Sequence, residues 1–143
     1  MEKRHYGMSL RRDWRPDEND RAEDVDTITL DDAADCYVPG RTHPMLLKID
    51  VEGAEIEAIR GAGRLLDEGA LVIYEDHGKE PDHRVSRFVL AQDGIAVWYV
   101  DADRQPRRIT TLAQVAAIKT DPRNGYNFFA CRWSSPWSHV FAG

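Results

Sequence analysis

Residues 45–56 constrain the chain more than any other stretch. Met45, Leu46, Leu47 and Ile49 make an apolar run of strand length, enough for a strand buried on both faces and too short for a helix. Lys48 interrupts the run, and a cation there calls for a neighbouring acid or a route to the sheet's rim. Past Asp50 the pattern changes. Val51, Glu52 and Gly53 form an acidic turn, and Ile56, Ile59, Gly63 and Leu66 then fall on one face of a helix. Glu52, Glu55 and Glu57 occupy the turn and the first helical turn, where carboxylates complement the helix dipole. Asp50 therefore stands where a buried strand ends, the edge at which open α/β sheets bind ligands.

The rest of the chain supplies further strands and helices. Asp67, Glu68 and Gly69 stop the helix, and residues 70–74 form a second buried strand. Strand, short helix and strand predict a parallel pair with a right-handed crossover, which puts Glu75, Asp76 and His77 on the same edge as Asp50. Pro81 and Asp82 open a helix with Val85, Phe88 and Val89 on its apolar face. Residues 95–100 are a third strand ending in Asp101 and Asp103, and residues 104–108 are a basic turn. Thr110 or Thr111 caps a helix carrying Leu112, Val115, Ala116 and Ile118, and residues 126–132 form a last strand, antiparallel at the sheet edge. Trp133, Trp137 and Phe141 pack the tail onto the body.

Upstream, residues 25–30 alternate apolar and polar, the period of a half-buried strand, and Asp31 or Asp32 caps a short helix through Ala33, Ala34 and Cys36. Gly61 and Gly63 are small residues for close helix–sheet packing. The expected fold class is α/β, a mostly parallel sheet with flanking helices. Residues 1–24 read as an irregular charged segment too poor in aliphatic side chains to order itself, and residues 25–143 as one α/β domain.

A net charge of −6 disfavours nonspecific nucleic-acid binding, which requires a basic surface. No apolar run approaches the roughly 20 residues that cross a bilayer, so no membrane partner is expected. The N-terminus lacks the apolar core of a secretory signal. Cys36 and Cys131 are too few for a disulfide framework and read as free thiols in a reducing compartment, which makes cytoplasm the expected location.

Convergent carboxylates at a sheet edge can shift one another's pKa, act as acid and base, or hold a cation. Asp50 is the first candidate, because a carboxylate ending a buried strand is costly unless paired or used. His77 suits proton transfer near neutrality. Against this, acids after strands often cap the next helix, as Glu52 and Asp82 are placed to do, and Asp101 and Asp103 fit an ordinary turn. No metal-ligand spacing is present, so a metal site is not expected and a metal-dependent hydrolase is the weakest reading.

The stretch Leu46-Leu47-Lys48-Ile49-Asp50-Val51-Glu52-Gly53-Ala54-Glu55, followed by Arg60-Gly61-Ala62, resembles the central signature of the FkbM family of S-adenosylmethionine-dependent methyltransferases. The likeness extends to Val25-Asp26-Thr27-Ile28-Thr29-Leu30-Asp31-Asp32 upstream and Leu71-Val72-Ile73-Tyr74-Glu75 downstream. It implies a Rossmann-like fold and methylation of a hydroxyl on a small metabolite such as a polyketide, sugar or lipid, with S-adenosylmethionine as cofactor. Asp50, Glu52 and His77 would be catalytic, and Glu75, Asp76 and Lys48 would line the substrate side. No strand with a glycine-rich loop precedes Val25, so the chain reads as the carboxyl-terminal half of such a domain, its sheet incomplete and its cofactor-binding residues unassigned. An incomplete sheet leaves an open edge, for which a second copy or a complementing chain is the expected partner. The rival reading is a noncatalytic, partner-binding half-domain of methyltransferase ancestry.

Overall fold

The computed structural model describes residues 26–51, 53–76, 81–121 and 125–142. Its elements run α1 (Leu30–Tyr37), β1 (Leu46–Ile49), α2 (Glu55–Arg60), α3 (Gly63–Asp67), β2 (Leu71–Glu75), α4 (Arg84–Leu90), β3 (Ile95–Val100), β4 (Pro106–Ile109), α5 (Leu112–Thr120), β5 (Asn127–Arg132) and α6 (Pro136–Ala142).

The strands form one sheet in the order β1-β2-β5-β3-β4. Only β1 and β2 pair in parallel, with Leu46 opposite Leu71 and Ile49 opposite Tyr74. The β2–β5, β5–β3 and β3–β4 pairs are antiparallel. The sheet is thus mixed and mostly antiparallel, which overturns the expected mostly parallel, Rossmann-like arrangement. The cause lies in the connections. β2 and β3 run the same way but leave a slot between them, because α4 carries the chain past it. The β3–β4 hairpin reverses the chain, α5 carries it back over β3, and β5 fills the slot from the opposite direction. Hence β5 is central rather than at the edge, and Phe128, Ala130 and Cys131 are buried.

One sheet face carries the main core. Ile49, Val72, Tyr74, Val97, Ile109, Phe128 and Ala130 meet Ile59, Leu66, Val85, Val89, Val115 and Ile118 from the helices. On the other face Leu71, Ala96, Trp98 and Cys131 pack against Trp137 and Phe141 of α6. Trp98 stacks on Phe141 with ring centroids 5.3 Å apart. That cover does not reach β1, where Leu46 is 52% exposed. So β1 buries one face rather than the expected two.

Residues 26–29 form no strand; the chain enters α1 directly. Thr29, extended at ψ 158°, is the N-cap and accepts from the Asp32 N–H, the role assigned to Asp31 or Asp32 from sequence. Asp31 instead caps another helix. Its two carboxylate oxygens accept the N–H groups of Arg64 and Leu65 at 2.9 and 3.0 Å, the free donors at the start of α3. The helix expected as one piece from Glu55 to Leu66 is therefore two, broken at Gly61 and Ala62. Gly61 approaches the start of α1: a Cβ there would lie 3.4 Å from the Leu30 nitrogen and from Thr29, whereas Gly63 faces open space. The close packing is helix against helix.

Candidate active site

The parallel register of β1 and β2 brings Asp50 and Glu75 to neighbouring positions at one sheet edge, each one residue beyond the Ile49–Tyr74 pair. Asp50 is not buried. Its Oδ2 accepts from Lys48 Nζ at 2.8 Å, and each side chain of the pair is 53% exposed. The carboxylate therefore escapes the desolvation cost that a buried strand end would impose, and Lys48 finds the acid it needs. Glu75 is half-buried and lies opposite Asn127 of β5. Glu52 and His77 lie outside the described residues.

Asp76, the next residue, turns inward and is fully buried. Its Oδ1 accepts from Lys119 Nζ at 2.7 Å and its Oδ2 from the Ser86 N–H at 2.9 Å, while its own N–H donates to the Tyr126 carbonyl. One carboxylate thus ties the end of β2 to the first turn of α4 and to α5. Ser86 Oγ lies 3.2 Å from the Tyr74 hydroxyl, so the network runs on under the sheet. Burial, reinforced by the Asp76 charge, pushes the Tyr74 phenol well up, with the Ser86 contact opposing.

Two further residues shape the edge. Glu55, 3% exposed, accepts the Gly53 N–H at 3.0 Å and so ties down the turn after β1, where Gly53 has φ +94°. His83 takes the left-handed conformation (φ 47°, ψ 47°) before α4, a conformation costly for a residue with a Cβ, and its Nδ1 is buried without a hydrogen-bond partner.

Asp101 stands apart, because β5 separates β2 from β3. It builds the β3–β4 hairpin by accepting from the backbone N–H groups of Asp103 and Gln105 and from Arg107 Nε. The Gln105 N–H and the Arg107 guanidinium hold its carboxyl below the usual aspartate value.

Lys119, Ser86 and His83 are not among the residues that the sequence singles out. Lys119 carried a usable signal: it follows Val115 by four residues and so lies on the apolar stripe of α5, where a lone cation implies a buried acid. Ser86 acts through its backbone and His83 through its φ, and neither leaves a mark on residue type.

A cleft of about 210 Å³ lies at the opposite end of β1, lined by Arg41, Thr42, His43, Pro44, Met45, Leu65 and Glu68. It is below the roughly 300–1,000 Å³ usual for cofactor pockets. Its charges are engaged, with Arg41 bonded to Glu68 at 2.7 Å and to Asp35 at 3.0 Å. That cleft is thus smaller than S-adenosylmethionine needs. Among the described residues there is no group of three or more His, Cys, Asp or Glu side chains placed to hold a metal, and no helix long and apolar enough to cross a membrane.

No curated protein and no solved structure matches the chain. A family model does: that of the methyltransferase FkbM domain, over residues 2–97. The match starts near the N-terminus and covers most of the 143 residues, which overturns the expectation that the likeness is confined to a carboxyl-terminal half of the domain. It takes in the β1–α2 turn, the Asp50–Glu75 edge and the start of β3, and the chain belongs to the FkbM methyltransferase family.

Proposed function

We propose that the protein is an O-methyltransferase that uses S-adenosylmethionine to methylate a hydroxyl of a small metabolite of the polyketide, sugar or lipid class. Family membership supports methyl transfer, and the observation that carries the choice of site is the register that sets Asp50 beside Glu75. Attack of a hydroxyl oxygen on a methyl sulfonium depends mainly on alignment, so the residues of this edge act first by holding the acceptor. Asp50, exposed and ion-paired with the flexible Lys48 at 2.8 Å, accepts a hydrogen bond from the acceptor hydroxyl. Glu75 fixes a second hydroxyl from the neighbouring strand. Lys48 holds the Asp50 carboxylate in place between turnovers.

The test is transfer of labelled methyl from S-adenosylmethionine to hydroxylated acceptors of the three classes, with Asp50→Asn and Glu75→Gln beside the parent chain. Asp50→Asn should lower turnover about tenfold or more with little change in the urea midpoint, since the Lys48–Asp50 pair is exposed and such pairs contribute little. Transfer to none of the classes, or full activity in both variants, overturns the reading.

A further inference from the structure

A row of side chains crosses the sheet at the candidate site. Asp50 and Glu75 are neighbours through the parallel register of β1 and β2, and Asn127 stands directly opposite Glu75 in the antiparallel pairing of β2 with β5. Paired strands lie about 4.8 Å apart, so the three positions are evenly spaced along a line of about 10 Å. They share a face. Ile49, Tyr74 and Phe128, adjacent to them in sequence, all enter the main core, so alternation turns Asp50, Glu75 and Asn127 to the opposite side. α6 packs on that side farther along β5, where Phe129 meets Phe141 with ring centroids 5.3 Å apart. Continuing the Trp98–Phe129 register by two residues brings Val100, 40% exposed, to the far side of Asn127. The polar row thus ends against an apolar side chain.

Asn127 differs from its two neighbours in chemistry and in origin. An ionised carboxylate only accepts hydrogen bonds, whereas a carboxamide both donates and accepts. Asn127 also lies beyond residues 2–97, the segment matched by the family model. Its backbone is held in place: the Tyr126 carbonyl, one residue before it, accepts the Asp76 N–H at 3.1 Å, and Asp76 is anchored to Lys119. An exposed side chain on a fixed backbone is already placed for a ligand. We infer that Asn127 is a specificity-determining residue, which selects a polyhydroxylated acceptor of the sugar class over an alcohol with a single hydroxyl. The inference rests on the methyl-transfer reading and names its acceptor. Asp50 takes the reacting hydroxyl, Glu75 a second one, and Asn127 pairs with a third oxygen as donor or acceptor. A sugar carries oxygens along the whole row, while a long-chain alcohol offers one and leaves the other polar positions unused.

Methyl glucoside, titrated into the isotope-labelled full chain with S-adenosylmethionine present, is the probe. The side-chain amide resonances of Asn127 and the backbone amide of Glu75 should shift, and octanol should leave the Asn127 side chain unmoved. Asn127→Ala should weaken glucoside binding about tenfold, and raise KM for it by a similar factor with kcat near the parent value. The urea midpoint should stay near that of the parent, because the side chain is exposed. Asn127 resonances indifferent to the glucoside, equal shifts with octanol, or parent affinity in Asn127→Ala each overturn the inference. Failure of the reaction reads out separately: glucoside held at Asn127 without transfer of labelled methyl strikes the methyl-transfer reading and leaves the recognition standing.

Discussion

The Lys119 ammonium lies 2.7 Å from Asp76 Oδ1, and the two side chains are 2% and 0% exposed. The pair joins the end of β2 to α5, and so links the segment matched by the family model to the chain beyond it. Breaking one side of such a pair leaves a charge buried without its counterion. Lys119→Met should therefore cost about 3–5 kcal/mol in urea unfolding. Adding Asp76→Asn should recover part of that loss, because the amide can still accept the Ser86 N–H without carrying charge. A double variant no more stable than Lys119→Met would mean that the lysine acts through packing alone.

Asp31 acts at a distance of more than thirty positions in sequence, capping α3 from inside α1. Asp31→Ala removes the acceptor of two helix-terminal N–H groups and should cost about 1–2 kcal/mol. Asp31→Asn keeps one acceptor oxygen and should fall between. Hydrogen exchange at Arg64 and Leu65 should quicken in the alanine variant while α5 stays protected.

Arg41 bridges Asp35 and Glu68, and hydrogen bonds from its guanidinium are the leading cause holding both carboxyls below their ordinary values of 3.8 and 4.5. Folded carboxyls with depressed pKa values release protons that the unfolded chain keeps. Their contribution is complete above the ordinary values and is lost as pH falls through the folded ones. Arg41→Gln should raise the NMR titration midpoints of both carboxyls and soften the acid limb of the stability curve. Unmoved midpoints would show that Arg64, which also touches both, is sufficient.

Much of this architecture could be read from residue type, and the failures share a physical cause. Residues 45–49, 70–74, 95–100 and 126–132 are legible as strands because their apolar runs are bounded by turns, and β1, β2 and β5 differ from those bounds by one residue. Strand direction and neighbour were not legible. An apolar run records that a strand is buried, but not what lies beside it, and nothing in residues 126–132 marks β5 as the central strand. β4 escaped because Pro106, Arg107 and Arg108 have no buried period, and α6 because its Trp137 and Phe141 were visible only as apolar anchors. The alternation over residues 25–30 suggested a strand, yet alternation stabilises one only where a partner strand is at hand; Ile28 is 61% exposed. At the candidate site, the shared edge of Asp50, Glu75 and Asp76 followed from the βαβ order. Their different surroundings did not. Asp76 is buried because Lys119 arrives from forty-three positions away, and nothing local to Asp76 announces it.

The last prediction concerns Tyr74, whose ring stacks on Phe128 with centroids 5.6 Å apart and whose hydroxyl meets Ser86 Oγ. Burial is the main reason its phenol resists ionisation, and the unfolded chain, without that burial, ionises near 10.0. The folded state thus keeps a proton that the unfolded state gives up, so stability falls as pH rises above 10, by about 1.4 kcal/mol per unit until the folded phenol itself titrates. Tyr74→Phe keeps the ring stack and removes the titration. At pH 7 the variant should be less stable by about 1–2 kcal/mol, since Ser86 Oγ loses the phenol in a buried position. Above pH 10 that difference should shrink and then change sign. Cys131, whose thiol burial also pushes up, adds an alkaline slope of its own, but it is common to both chains and cancels in the comparison. Chemical denaturation of parent and variant from pH 7 to 12 measures the convergence and the crossing. Parallel curves with no convergence would show that Tyr74 becomes accessible to hydroxide without unfolding, and that the network under β2 opens locally.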